Sequence, residues 1–295
     1  MDDLKPARYA AREFEILKSA FGDWEEVLKN PGDIRLEILH AGDVSGTVHK
    51  MINLDDAQKA EIADAKLRAP LFAHLIRHER YGDFLVDTGF DSEFSKNSWG
   101  HFEGSQVKTL EFGVEPGHGI DEVLGARNIR LKGVFCTHFH EHQGGAPSLP
   151  HDIPFVYGKG EEELNAVPYV YARFLKDKTD IREIDFEKAE DMPLAGKSVD
   201  IFGDGSFWAI STPGHTEGHT SYLVNGGEGQ YMITGDICMC IKGFEMGIES
   251  GYTYAKHPDM NTESFFRIKK LLERYPQIKP VFGHESEEFR MEYLP

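Results

Sequence analysis

Three histidines and one carboxylate lie within five residues of the chain, at His138, His140, Glu141 and His142. They come after an apolar run at 134–136 that is typical of a buried strand. In extended backbone the side chains of His138 and His140 point to the same side, because side-chain direction repeats every two residues. Two imidazoles that converge at the end of a strand are suited to binding a metal ion. The segment therefore predicts a metal site, with exposed loop histidines as the alternative interpretation.

Four other polar side chains come after predicted strands, each within two residues of a glycine. His215 follows Pro-Gly, and Asp236 follows Gly. His284 follows Gly near the C-terminus, and Asp87 precedes Thr-Gly. Taken singly, each motif is more typical of an ordinary turn than of a functional site. Their common position at strand ends favours a shared site. The residues of this expected site are therefore His215, Asp236, His284 and Asp87.

Together these motifs resemble the pattern of the metallo-β-lactamase-fold hydrolase superfamily. That pattern is a strand ending in Asp-Thr-Gly, a Thr-His-x-His-x-Asp-His-x-Gly-Gly loop, a Pro-Gly-His turn, a Gly-Asp and a late Gly-His. The match extends from about residue 34 to the C-terminus, and the ending Gly283-His284-Glu285 is most similar to the acyl-homoserine-lactone lactonase-like branch. The resemblance implies an α/β fold, the αββα four-layer sandwich, with a two-metal site at one edge of the sheets.

The resemblance also implies which residues bind the metal ions. The first ion would be bound by His138, His140 and His215. The second ion would be bound by His142, His284 and Glu141. Asp236 would bridge the two ions. The implied cofactor is two divalent metal ions, with zinc as the first choice and iron or manganese as alternatives.

Two carboxylates, Asp236 and Glu141, have the implied catalytic role. Asp87 is expected behind the ligands, where it accepts the N–H of a ligand imidazole.

At Glu141 the chain departs from the family pattern. The family loop has two residues between its second and third histidines, the later one an aspartate, whereas here only Glu141 separates His140 from His142. If these residues open a helix, the loss of one residue rotates all later side chains by about 100°. Either Glu141 stands in for the aspartate or the aspartate is absent, so the sequence leaves open whether the second ion is bound.

The chemistry expected of such a site is hydrolysis. Two cations that share a carboxylate lower the pKa of a bound water towards neutrality, and one of them can polarise a carbonyl. The sequence has no G-x-S-x-G motif, and this chemistry needs no serine or cysteine nucleophile. The prediction is a metal-dependent hydrolase that uses metal-bound hydroxide on an ester, lactone or thioester carbonyl. Two alternatives stay open: a non-haem iron redox enzyme of this fold, similar to persulfide dioxygenases, and a degenerate, non-catalytic metal-binding protein.

The elements that must position these residues are predicted from hydrophobic spacing. Strands and helices mix without a βαβ rhythm, which favours a layered sandwich over a doubly wound sheet. Helices are predicted at 7–28, 161–176 and 262–275. The chain is divided into an N-terminal helical extension at 1–32 and a hydrolase domain at 33–295.

Aromatic residues on the second predicted helix are candidates for a pocket wall, with core packing as the alternative. They are Tyr169, Tyr171 and Phe174. His219 is expected to have a structural role, with hydrogen bonds inside its own turn.

The composition is acidic, since 32 Lys+Arg against 50 Asp+Glu give the 295 residues a formal net charge of −18. This charge disfavours nucleic acid as a partner, and a small-molecule substrate is expected. No apolar run approaches the roughly 20 residues that cross a bilayer and no secretory signal is visible, so no membrane partner is expected. Three cysteines without a disulfide pattern favour a cytoplasmic location. A homodimer is left open, since the N-terminal helix could pack on the sandwich or on a partner chain.

Overall fold

The computed structural model describes residues 9–47, 49, 63–103, 111–161, 171–250 and 258–285. Within these residues, two large β-sheets pack face to face and carry helices on their outer faces. This is the αββα sandwich expected from the sequence, so the predicted fold class is confirmed.

The first sheet has eight strands. In spatial order they are β1 (Arg12–Glu13), β10 (Ile181–Ile184), β8 (Phe155–Gly158), β7 (Leu131–Phe135), β4 (Gly82–Val86), β3 (Lys66–His78), β2 (Ile34–Thr47) and β6 (Glu111–Gly113). β2 and β3 form a long antiparallel hairpin with a bulge between His40 and Asp43. β4, β7 and β8 run parallel to one another, so their carboxyl ends lie at the same edge of the sheet.

The second sheet has six strands. In spatial order they are β11 (Glu190–Met192), β12 (Gly196–Asp200), β13 (Phe207–Ser211), β14 (Thr220–Gly226), β15 (Gly229–Gly235) and β16 (Ile278–Phe282). β13 and β15 are both antiparallel to β14, and β16 is parallel to β15. β13, β15 and β16 therefore also end at one common edge. A separate ribbon pairs β5 (Phe102–Glu103) with β9 (Tyr171–Ala172).

The described α-helices are short except for the last one. They are α1 (Trp24–Lys29), α2 (Ile120–Ala126), α3 (Ile241–Met246) and α4 (Pro258–Arg274). The helix predicted at 262–275 is confirmed as α4, which begins at Pro258. Among the residues that the structure describes, no helix has the length and apolarity needed to cross a membrane.

Three hydrophobic layers hold the sandwich together. Between the sheets, Phe84 and Phe135 from the first sheet are buried with Phe207 and Tyr222 from the second. The rings of Phe135 and Phe207 meet edge to face, with centroids 5.2 Å apart. Each fully buried side chain of this size contributes roughly 1.5–3 kcal/mol. The outer face of the first sheet packs on α2, and the outer face of the second packs on α1 and α4.

The helix predicted at 7–28 is wrong over most of its described length. The chain forms β1, which pairs in parallel with β10. α1 begins only after Asp23, whose carboxylate accepts a hydrogen bond from the Glu26 N–H at 2.8 Å. Phe14 and Phe21, whose spacing fitted a helix face, pack against the cores from non-helical backbone. This segment lies on the sandwich.

The helix predicted at 161–176 is also wrong where the structure describes it. Within this range the structure describes residues 161 and 171–176. β9 lies at the start of 171–176, and turns follow it. Phe174 is buried in the core beside α2, so the core interpretation of this residue is confirmed. Tyr171 lies in β9, and Tyr169 falls within 162–170, outside the described residues.

Candidate metal centre

Five strand ends bring polar side chains to one edge of the sandwich. β4 and β7 contribute from the first sheet, and β13, β15 and β16 contribute from the second. The residues that come after these strands include Asp87, His138, His215, Asp236 and His284, and all five are buried. The strands expected before these residues are confirmed. Their common edge makes the five residues neighbours in space.

The first of two groups of candidate ligands contains His138, His140 and His215. Their ring nitrogens lie within 4.8 Å of one another, and His215 Nε2 is 3.0 Å from His140 Nδ1. His215 belongs to the turn after β13, where Gly214 adopts a φ of 144°. A side chain at Gly214 would collide with the backbone of Asn261, so the close approach of α4 to this turn requires glycine.

The second group contains His138, His142 and Asp236. His142 Nε2 lies 3.4 Å from Asp236 Oδ1. His284 adjoins this group, with its Nε2 3.2 Å from His142 Nε2 and 3.3 Å from Asp236 Oδ2. His142 therefore reaches the centre despite the shortened loop, because the backbone forms a tight 3-10 turn at Glu141–Gln143.

Unlike His284, which adjoins the second group, Glu141 is a predicted ligand that the structure does not bring to either group. It begins the 3-10 turn with a half-buried side chain, and neither group of described candidate ligands includes it. Its nearest effect on the centre is electrostatic, since its charge adds to those that raise the pKa of His142. The ligand and catalytic roles implied for Glu141 stay predictions.

The spacing of the donor atoms fits a metal ion. Ligands that surround a tetrahedral Zn²⁺ at about 2.0–2.2 Å lie about 3.3–3.6 Å from one another. The distances between the ring nitrogens and carboxylate oxygens of these residues run from 3.0 to 3.8 Å. Among the described residues, His138 Nε2 and Asp236 Oδ1 are buried with no hydrogen-bond partner. Such atoms are costly in a core, and a cation between them would satisfy both.

The protonation of His138 and His284 is set by atoms behind the centre. Thr137 Oγ1 donates its one proton to Asp87 Oδ2 at 2.7 Å, so it accepts from His138 Nδ1–H at 2.9 Å. His284 Nδ1–H donates to the Pro70 carbonyl at 2.9 Å. Both Nδ1 atoms carry a proton that these oxygens accept, so each ring turns its Nε2 towards the centre.

Asp87 acts on the ligands mainly through Thr137. Its carboxylate accepts hydrogen bonds from the Thr137 N–H, the Thr137 hydroxyl and Gln143 Nε2. His142 Nδ1 is 3.7 Å from Asp87 Oδ2, beyond hydrogen-bonding distance. The hydroxyl of Thr137 therefore connects Asp87 to the N–H of His138, and the role expected for Asp87 behind the ligands stays a prediction.

His219 holds the backbone of Asp236. Its Nε2 accepts a hydrogen bond from the Asp236 N–H at 3.0 Å, so the ring proton is on Nδ1, which lies 2.8 Å from Thr212 Oγ1. Burial, followed by the charge of His215, lowers the pKa of His219 to about 3. The structural role expected for His219 is confirmed, and it includes fixing Asp236.

Charge in the centre is concentrated on one pair. Burial alone would lower the pKa of His142, but Asp236 outweighs burial and raises it to about 9. Burial would raise the pKa of Asp236, and the facing His142 and His284 instead hold it well below its ordinary range. Burial lowers the pKa values of His138 and His140 well below their ordinary range. These two rings are therefore neutral, as metal ligands must be.

Glu161 is a residue that the sequence reasoning missed. It is buried, and its carboxylate accepts hydrogen bonds from the Phe139 N–H, the Gly218 N–H and the Thr216 hydroxyl. Burial raises its pKa to about 7, although these hydrogen bonds act in the opposite direction. In the sequence it begins a run of three glutamates after Gly-Lys-Gly, which is typical of a solvated surface turn.

The sequence model of the Metallo-beta-lactamase superfamily matches residues 71–238, more than half of the chain. The matched range contains every residue of both groups and ends before His284. It also includes Asp87 and Glu161.

Two relatives are similar over part of the chain. N-acyl homoserine lactonase AttM of Agrobacterium fabrum is 29% identical over 203 residues, 65% of this chain and 71% of that protein. Hydroxyacylglutathione hydrolase of Halorhodospira halophila is 29% identical over 134 residues, 43% of this chain and 42% of that protein.

A solved structure with the same fold is that of an N-acyl homoserine lactone hydrolase, with N-hexanoyl-L-homoserine bound at its catalytic metal centre. It superposes on this chain with a TM-score of 0.66 at 20% identity, and covers 88% of this chain and 96% of the other. At this identity the comparison shows that the fold is shared.

Proposed function

Because this chain belongs to the metallo-beta-lactamase superfamily, we propose that it is a metal-dependent hydrolase that attacks the carbonyl carbon of an ester, lactone or thioester. The observation that carries the proposal is the convergence of five histidines and one carboxylate on one buried centre. The two relatives are named as a lactonase and a hydrolase. Hydrolysis is therefore proposed in preference to iron-dependent redox chemistry.

Each group of ligands would hold one divalent ion. His138, His140 and His215 would hold the first ion, and His142 and His284 would hold the second, with Asp236 facing both positions. When bound, two such ions supply a water of lowered pKa and a Lewis acid for the substrate carbonyl.

The chain's own residues orient the ligand atoms and place a negative charge between the two positions. The hydrogen bonds from the Nδ1 atoms of His138 and His284 orient the rings so that their Nε2 atoms face the centre. Asp236 holds a negative charge between the two positions, and the Nε2 atoms of histidines from both sides lie within 3.8 Å of its carboxylate oxygens. Its negative charge would offset the charges of the two ions, and the catalytic role implied for Asp236 stays a prediction.

Zinc is the metal that we propose, because imidazole and carboxylate donors at this spacing suit a tetrahedral ion. The same donor types also bind iron and manganese, so the donors alone do not select zinc. The proposed substrate is a small molecule and not a nucleic acid, given the net charge of −18. The three cysteines are buried and form no disulfide, which fits the proposed cytoplasmic location.

The test is to load the purified chain with Zn²⁺ and measure metal content together with hydrolysis of acyl-homoserine lactones, aryl esters and acyl thioesters. We expect two ions per chain and turnover of at least one of these classes, lost on chelation and restored by Zn²⁺. His138→Ala should abolish both properties, whereas His118→Ala, at an exposed histidine outside the centre, should change neither. A chain that holds two ions yet hydrolyses none of the three classes would contradict the proposal.

A further inference from the structure

The carboxylate of Glu161 connects two loops that are distant in sequence. Its Oε2 accepts a hydrogen bond from the Phe139 N–H at 2.9 Å, between His138 and His140. Its Oε1 accepts from the Gly218 N–H at 3.0 Å and from the Thr216 hydroxyl, in the turn that carries His215. One oxygen therefore serves each loop.

Backbone packing fixes Glu161 in this place. The Glu161 N–H donates to the Gly158 carbonyl at 3.2 Å, at the end of β8. A Cβ added at Gly218 would collide with that carbonyl and with the Glu161 nitrogen, so the turn and the end of β8 pack backbone against backbone. Glu161 is 5% exposed, which leaves its carboxylate little freedom to choose other partners.

The loops that Glu161 joins contribute the whole first group. His138 and His140 come from the loop after β7, and His215 comes from the turn after β13 in the other sheet. The contact between His140 Nδ1 and His215 Nε2 at 3.0 Å spans the same two loops. A shift of either loop would separate donor atoms that must lie within a few tenths of an ångström of their places around one ion.

We propose that Glu161 is a positioning residue that holds the two loops of the first group in register and thereby sets the affinity of the first metal ion. This inference rests on the proposed function, because it requires that the first group binds an ion. The carboxylate of Glu161 bonds to backbone N–H groups and a hydroxyl of the two loops, so it acts on the ligands through these partners.

The test compares Glu161→Gln with a matched control, Asp200→Asn. An amide keeps one acceptor but presents N–H groups where the carboxylate accepted, so one loop loses its partner. Asp200 is also buried and also accepts two backbone N–H groups and one hydroxyl, from Gly203, Gly205 and Ser19. It ends β12, which is antiparallel to β13, so it lies at the edge away from the centre.

The readouts are the two Zn²⁺ affinities, from competition with a chromophoric chelator, and the absorption spectrum of the Co²⁺-substituted chain. For Glu161→Gln we expect one affinity to fall roughly 10–100-fold, the range found for groups behind metal ligands, with a changed Co²⁺ spectrum. Asp200→Asn should lose stability but keep both affinities and the spectrum. Unchanged affinities in a folded Glu161→Gln chain would overturn the inference alone, whereas a wild-type chain that binds no Zn²⁺ would overturn the proposed function and the inference with it.

A second pair of variants decides the matter if Glu161→Gln does not fold. Thr216→Val removes only the hydroxyl that Oε1 accepts from, while Thr216→Ser keeps it. We expect the valine variant to weaken the same ion as predicted for Glu161→Gln, by a smaller factor, and the serine variant to bind both ions as the wild type does. Equal affinities in the valine and serine variants would contradict the proposed role.

Discussion

The two groups of the candidate centre differ in how the chain holds them. The first group comes from two loops that share one carboxylate, Glu161. On the other side, His142, Asp236 and His284 come after three different strands, and each has its own hydrogen-bond partner outside the centre. The two loops of the first position are therefore joined through one carboxylate, whereas the residues of the second position have separate partners. Single substitutions should reveal this difference.

The largest effect is expected where the two groups meet, at Asp236. Asp236→Asn keeps the size of the side chain but removes the charge that His142, His284, His138 and His215 all face. We expect metal content to fall below two ions per chain. The loss in kcat/KM should exceed the roughly 10–100-fold typical of groups behind metal ligands. Elemental analysis and steady-state kinetics measure both quantities, with Asp200→Asn as the control. Two retained ions with nearly wild-type turnover would mean that Asp236 does not join the groups.

The next effect separates the two positions. His215→Ala removes a donor from the first group only, and His284→Ala removes one from the second side only. Each variant should lose one ion and keep the other, with its affinity for the lost ion reduced by more than roughly 100-fold. The Co²⁺ spectra of the two variants should differ from each other, because the retained ion sits among different donors. If either variant loses both ions, the positions are not independent and the comparison fails.

A smaller effect is expected at Thr137, which links Asp87 to the shared ligand His138. Thr137→Val leaves a buried carboxylate oxygen and a buried ring N–H without this partner, at a cost of about 1–3 kcal/mol in the free energy of unfolding. Although His138 lies in both groups, the proposed arrangement assigns it to the first ion, so the first Zn²⁺ affinity should fall, as for Glu161→Gln. Thermal unfolding and chelator competition measure these changes, and Thr137→Ser should preserve both the stability and the affinity. A valine variant with an unchanged first affinity would show that Thr137 does not act through His138.

The side chains that meet in the candidate centre could be predicted from the sequence because their signal is local. At His215 and His284, the histidine, its neighbouring glycine and the end of the strand are close together in the sequence as well as in the structure. The fold class could be predicted because the same motifs carry the family resemblance and because the strands and helices show no βαβ rhythm. The groups behind the ligands could not be found in this way. Glu161 is selected by hydrogen bonds to residues 22 and 55 positions away.

The failed helices have a related cause. Phe14 and Phe21 fit helical spacing, yet the hydrogen bonds that β1 makes with a distant strand and the cap at Asp23 decide the local conformation. Short apolar patterns do not distinguish a helix face from an irregular segment whose aromatic residues pack into two different cores. The tertiary contacts that settle the choice are absent from the local pattern.

The smallest effect is expected at Glu141, where the chain departs from the family loop. The tight turn at Glu141–Gln143 brings His142 to Asp236 and leaves the Glu141 side chain half-buried, outside both groups. Glu141→Gln should therefore change either Zn²⁺ affinity and kcat/KM by less than about threefold, within the roughly 1 kcal/mol typical of partly exposed charges. The matched variant is His142→Gln, one position along the same turn, which should lose the second ion. A tenfold or greater loss of the second affinity in Glu141→Gln would instead identify this carboxylate as the missing ligand of the shortened loop. The second position would then depend on one loop residue as strongly as the first depends on Glu161.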